Sequence, residues 1–376
     1  MVSLEDRAAL LLAIKEPGKA VGLDHLFEKL SRDVAFAEGR RIDKEEVKKA
    51  VEDLVARGLA SKVKEGYIAT ERLDEAMNVL IKDKMKELNR SYVLVWLAKN
   101  YYPKVSGSML PFLMGRPVSA VKIFSGKKNP IEEVEPIFVR YARYKPKPVL
   151  LSVDSKERLM ELVFDHCIDF IPYIHRFEAK EPDVFVLDLD AGPRVLEKPY
   201  AFEFLRYIAQ QLSELLSELE IEHMVKFSGS RGFQVWASFD NTSLRGRGDL
   251  FRVYREMAVM VQRKLEDRLH HRLGEIDSMF PAMVRRDRPI TTSTVAHKEE
   301  RADQVLVDSS ILKPMGDVRA PFSIHYKTGL ASLPLPREKL NSFRPDDAFP
   351  LKVLEDLEPY EKASKVGSSD PSKLLH

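Results

Sequence analysis

The chain has 376 residues, 44% hydrophobic and 31% charged, apolar enough for two or three ordinary domains and too apolar for a disordered chain. With 60 Lys and Arg against 58 Asp and Glu the net charge is only +2, so any basic surface for nucleic acid has to be local. One cysteine, Cys167, excludes a disulfide framework and a Cys-rich zinc site; without a signal-type leader or about 18 consecutive apolar residues, the expectation is a cytoplasmic protein with no membrane contact.

Residues 3–15 place Leu4, Ala8, Leu11 and Leu12 at helical spacing, and Pro17-Gly18 ends the run. Helices are predicted at 23–34 and at 43–58, the latter with Asp43 as cap and Gly58 as terminator, and "LASKVKEGYIAT" reads as a hairpin around Glu65-Gly66. Three helices and a two-stranded wing predict a winged-helix-like domain over 1–75. Its third helix would enter a nucleic-acid groove, but it mixes Lys44, Lys48 and Lys49 with acids, so a protein contact or a purely structural role stays open. Residues 76–104 read as a helical connector.

From about 105 the texture changes to short β-prone runs. Strands are predicted at 119–126, 135–153, 182–190, on both sides of "SGSRG" at 228–232, at 304–310 and over the alternating stretch 318–335. Helices are predicted at 155–170, 199–220 and 248–270. This is an α+β pattern, a sheet with helices on one face and the other face open, spanning 105–360. Residues 361–376 read as a flexible tail.

"VFVLDLDAG" at 184–192 spends two positions of an apolar strand on carboxylates. Strand alternation puts Asp188 and Asp190 on one side, where they repel unless a cation lies between them. Mg2+ or Mn2+ would answer that; so would a strand end opening into solvent. Ser228, Gly229, Ser230, Arg231 and Gly232 form either an anion-binding turn or an ordinary glycine hairpin. Asp308 ends another apolar run, and Arg319, Ser323, His325 and Lys327 fall at even spacing, as phosphate donors or as a wet sheet face. Lys127-Lys128 and Tyr141, Tyr144, Lys145 and Lys147 could line a template path or a solvated loop. His166, Cys167 and Asp169 would spread around a helix axis, so they are set aside as ligands; His270-His271 suits a helix C-terminus. Neither a P-loop nor a dinucleotide glycine fingerprint occurs.

Taken in order, "GRPVSAVKIFSGKKNP", "FVRYARYKPKP", "FIPYIHR", "PDVFVLDLDAG", "VKFSGSRGFQVW" and "VLVDSSILKPMGDVRAPFSIHYKTGLASLPL" resemble the archaeo-eukaryotic primase superfamily over roughly 110–340. Within it the polymerase domain of bacterial ligase D is the nearest likeness, and "PFSIHYKTGL" is similar to the small catalytic subunit of archaeal primase. The resemblance implies an RRM-like antiparallel sheet and a primase or polymerase, a nucleotidyltransferase acting on nucleoside triphosphates, DNA template and primer with Mg2+ or Mn2+. By that likeness Asp188, Asp190 and Asp308 match the metal ligands, and Ser228 and Arg231 match the phosphate-binding turn. His325 and Lys327 match triphosphate contacts, while Arg140 and His175 fall at nucleotide-contacting positions. Where the family turn ends in Gly-x-His this chain has Gly232-Phe233-Gln234; Gln234 could still bond a phosphate or sugar but carries no charge. The alternative is a catalytically weakened nucleic-acid-binding accessory protein, and in either case replication or repair proteins are the expected partners.

Overall fold

The computed structural model describes residues 2–124, 135–140, 149–179, 181–293 and 302–375. The chain folds as two compact units. The first is Met1–Ser106, Ala120–Val139 and Lys156–Ile168; the second is Gly107–Ser119, Arg140–Ser155 and Asp169–His376. No helix among the described residues is long and apolar enough to cross a membrane.

In the first unit, helices α1 (Leu4–Ala13), α2 (Leu23–Glu38) and α3 (Lys44–Ala56) precede an antiparallel hairpin of β1 (Ala60–Val63) and β2 (Gly66–Ala69). Asp43 caps α3 as its position foretold, accepting from Glu46 N at 2.8 Å while the Glu46 carboxylate accepts from Asp43 N at 2.9 Å: a capping box. Leu11, Leu26, Val47 and Leu54 form the core, and a buried Arg7–Asp33 pair at 2.8 Å ties α1 to α2. On α3, Lys44 pairs with Asp24 and Lys48 with Glu45, so two of its three lysines already share their charge with acids.

The predicted connector is two helices, α4 (Glu71–Lys84) and α5 (Arg90–Met109). Asn89 starts the second, its Oδ1 accepting from Ser91 N at 3.0 Å, which gives the backbone a fresh helix start and makes the connector two joined helices. Strands β3 (Val118–Phe124), β4 (Glu135–Val139) and β5 (Cys167–Pro172) form a sheet in the order β4-β3-β5, with α6 (Lys156–Phe164) before β5. The helix expected over 155–170 therefore stops early. His166 takes φ +66°, a left-handed turn that ends helical propagation, and the apolar CIDFIP run continues as strand.

The second unit is a mixed α+β domain around a six-stranded sheet. Its strands are β6 (Val184–Ala191), β7 (Met224–Phe227), β8 (Phe233–Phe239), β9 (Thr291–Thr292), β10 (Val305–Asp308) and β11 (Ser368–Ser369), in the order β11-β8-β6-β10-β9 with β7 also on β8. A short helix α7 (Pro193–Leu196) follows β6; α8 (Ala201–Glu218) and α9 (Leu250–His271) are the long ones. Alternation divides the sheet faces. Phe185, Phe233 and Phe239 face the helices, with Phe185 and Phe239 each meeting Tyr254 of α9, while Asp188, Gln234 and Trp236 occupy the opposite face.

Two expectations fail here for identifiable reasons. The 318–335 stretch is not one strand: Phe322 sits at φ +66°, which breaks alternation, and 322–332 closes on itself through His325 N to Leu330 O and Ser332 N to Ser323 O. The segment expected as a loose tail instead supplies β11, whose Ser369 accepts from Asp240 N at 3.1 Å and pays for its ordering with a buried Leu374.

Candidate active site

The hairpin β7–β8 turns about Ser230, so Lys226 faces Gln234. Gln234 faces Asp188 on β6, and Asp188 faces Asp308 on β10. One row across four strands therefore reads Asp308, Asp188, Gln234, Lys226, neighbours of the kind whose Cβ atoms lie about 5 Å apart. Gln234 Nε2 donates to Asp188 Oδ2 at 3.1 Å, and Lys226 Nζ donates to Gln234 Oε1 and, at 2.8 Å, to Ser332 Oγ. Asp190 lies two residues along the same face, against the glycine turn at 228–232: a Cβ on Gly232 would stand 2.6 Å from Leu189 O and 3.2 Å from Asp190 Oδ1. Only glycine admits that approach.

Burial, and next the Asp190 charge, push the Asp188 carboxyl up to about 7; the Gln234 hydrogen bond and the Lys226 charge oppose this and Asp308 adds to it. Burial, and next Arg319, press the Lys226 ammonium down to about 7 against the pull of Asp188 and Asp169. The Asp188 carboxylate thus stands at an electrostatic cost that a divalent cation would relieve. Three carboxylates on adjacent strands are the oxygen donors that Mg2+ or Mn2+ takes, so the donor set fits. Its arrangement is not closed: among the described residues no group of three or more His, Cys, Asp or Glu is poised to hold a metal. Asp308 is one reason, since its carboxylate accepts from Ser310 N at 2.7 Å and Ser310 Oγ at 3.0 Å.

The turn at 228–232 is built from within. Ser228 Oγ accepts from Ser230 N at 3.4 Å and Gly232 N at 3.3 Å, the same N–H groups an anion would take. Gly229, at φ +85°, lies against the His325 loop, where a Cβ would meet His325 Cβ at 3.0 Å, and Thr328 Oγ1 donates to Gly229 O. The turn and the His325 loop are therefore one assembly beside Asp190. Arg231 is exposed, and so is Lys327, whose ammonium lies 5.7 Å from the Tyr326 ring centroid. His325 is buried, and its Nδ1 lies 3.1 Å from Lys327 N, which donates to it.

Other expected residues do different work. Arg319 is engaged within the protein: its guanidinium forks onto the fully buried Asp169 at 2.8 and 2.9 Å and donates to Ser228 O at 3.0 Å. Asp169, set aside on helical spacing, is thus the anchor of the site, also accepting from Ser323 Oγ at 3.2 Å. Arg140 is exposed, 3.9 Å from Asp317. His175 pairs with Pro182, its ring near Phe251; Pro182 is six residues before Asp188 in an extended stretch, which sets His175 roughly 20 Å from Asp188. Lys127, Lys128, Tyr141, Tyr144, Lys145 and Lys147 lie outside the described residues. Lys226 and Ser332 escaped sequence reasoning; the signal for Lys226 was the hairpin symmetry about Ser230.

Residues 98–276 match the family described as LigD, primase-polymerase domain, which takes in Asp188, Asp190 and the 228–234 turn; Asp308, His325 and Lys327 fall beyond the match. No curated protein matches the chain. Among solved structures, the polymerase domain of Ligase D from Mycobacterium tuberculosis, in complex with DNA, shares the fold at a TM-score of 0.51 and 19% identity, covering 70% of this chain and 91% of that one. Residues 98–276 are thus similar in sequence to the LigD primase-polymerase domain, and the chain shares the fold of one such domain.

Proposed function

We propose that the chain is a template-directed nucleotidyltransferase, a DNA primase or DNA-directed polymerase that adds nucleotides from nucleoside triphosphates to a 3′-hydroxyl. The observation that carries this reading is the register that sets Asp308 of β10 against Asp188 of β6, together with the likeness of residues 98–276, which hold Asp188 and Asp190, to the LigD primase-polymerase domain. Asp188, Asp190 and Asp308 would hold Mg2+ or Mn2+, Asp308 exchanging its Ser310 contacts for the ion. When bound, the ions would supply Lewis-acid neutralisation at the attacking hydroxyl and the leaving pyrophosphate.

The protein's own groups would set the geometry. Ser228 shapes the turn, and Arg231 and Lys327, the exposed cations on either side of the turn and the His325 loop, orient the triphosphate. His325 shapes the loop that carries Lys327. Arg140 and His175 would add contacts to the bound nucleotide. On this reading the catalytic domain spans 105–360, behind a winged-helix-like domain at 1–75 and a connector at 76–104, and serves DNA replication or repair.

Primer extension with a labelled DNA primer and template, in Mg2+ or Mn2+, tests it. Asp188→Ala is expected to lower extension by at least about a hundredfold. No extension with any nucleotide, or extension indifferent to Asp188→Ala, would leave a nucleic-acid-binding accessory role in its place.

A further inference from the structure

The nucleotidyl-transfer reading leaves one buried group without a part, and the role inferred for that group rests on that reading. Lys226 has no exposed surface, and among the described residues no carboxylate touches its ammonium. Nζ donates instead to Gln234 Oε1 and Ser332 Oγ, and Ser332 Oγ in turn donates to Phe227 O at 3.2 Å. An apolar side chain of the same length would fill this position at lower cost than an ammonium taken out of water. The charge therefore needs another account.

Gln234 supplies it. An ammonium only donates and a carboxylate only accepts, and Gln234 stands between one of each, in register with Lys226 on β7 and Asp188 on β6. A single orientation of the amide satisfies both neighbours: Oε1 to Lys226 and Nε2 to Asp188. Without the ammonium, nothing on the β7 side tells oxygen from nitrogen, and the terminal torsion of a glutamine is broad and roughly two-fold.

We infer that Lys226 is a positioning residue for Asp188: it fixes the Gln234 amide so that Nε2–H is held on Asp188 Oδ2, which orients the carboxylate for the cation. Gln234 on this account serves Asp188 and makes no contact with the triphosphate.

A double-mutant cycle on the full chain tests this, using Lys226→Met, Gln234→Ala and the pair, read by Mn2+ binding in electron paramagnetic resonance and by steady-state primer extension. Lys226→Met keeps the length and removes a buried charge, so its melting temperature is expected to equal or exceed the parent's, which separates positioning from folding. Each single variant is expected to lose about tenfold in Mn2+ affinity and kcat with the nucleotide KM unchanged, and the double variant to be no worse than Gln234→Ala. Lys226→Arg, still a donor-only cation, is expected to restore Mn2+ affinity. Parent-like Mn2+ affinity in folded Lys226→Met, or losses that add in the double variant, would overturn the inference; should Lys226→Met not fold, Lys226→Leu, which likewise has no donor, is read in its place. A parent that binds Mn2+ but extends no primer refutes the polymerase reading alone and leaves the Mn2+ cycle to decide positioning, while a parent that binds no Mn2+ refutes both.

Discussion

Asp169 organises more of the site than any residue that would touch substrate. Its carboxylate is fully buried and meets both prongs of Arg319, the Ser323 hydroxyl and, at 3.4 Å, the N–H of Tyr326. Arg319 carries the link on to the Ser228 carbonyl, so one ion pair holds the loop of His325 and the glycine turn to β5. Asp169→Ala would strand the guanidinium in a largely buried position, and breaking such a pair costs about 3–5 kcal/mol; urea denaturation measures it, and a loss below about 1 kcal/mol would mean that Arg319 finds water instead. At this scale the carboxylates of β6 were legible, because two acids in an apolar strand break a pattern. Lys226 was not, since a lysine inside an apolar run is commonplace and its burial depends on what closes over it.

Elements were legible where periodicity and punctuation agreed. The capped helix at Lys44–Ala56, the long helices α8 and α9 and the hairpin about Ser230 stand close to where spacing put them. Prediction failed where the chain changes conformation without a breaker: at His166, where helix gives way to strand, and at Phe322, where alternation folds into a loop. The C-terminal segment failed for another reason. Polar residues gave no sign of an edge strand, yet Ser368 and Ser369 pair with Ser238 and Phe239, Glu222 N donates to Ser369 Oγ at 2.7 Å, and Gly367 N to the Glu222 carboxylate at 2.8 Å. β11 covers one stretch of the β8 edge, and exposed edges recruit other chains. Deleting 367–376 is therefore expected to raise light scattering with concentration and to lower the melting temperature by a few degrees, roughly what 1 kcal/mol does in a domain this size; a truncated protein with parent-like scattering and melting would show the strand to be dispensable.

At the scale of the whole molecule, Asp188 and Lys226 bias global stability in opposite windows of pH. The folded Asp188 carboxyl is raised from 3.8 to about 7, so between those values the folded state holds more protons than the unfolded one and stability falls as pH rises. The Lys226 ammonium is lowered from 10.5 to about 7; there the unfolded state holds more protons and stability climbs with pH. Their joint contribution is a stability minimum near neutrality in the metal-free protein. Denaturant unfolding from about pH 4 to 10 is expected to find it, and Lys226→Met to lose the alkaline rise; a rise that survives the substitution would assign it elsewhere. By itself the sequence determined the alternation that puts Asp188 and Asp190 on one side of a strand, the hairpin about Ser230 and the helix caps, because each follows from local spacing. Only the tertiary structure decided that Asp308, remote in sequence, lies opposite Asp188 and that Lys226 is sealed behind Gln234, because cross-strand register and burial depend on contacts between segments that no local periodicity encodes.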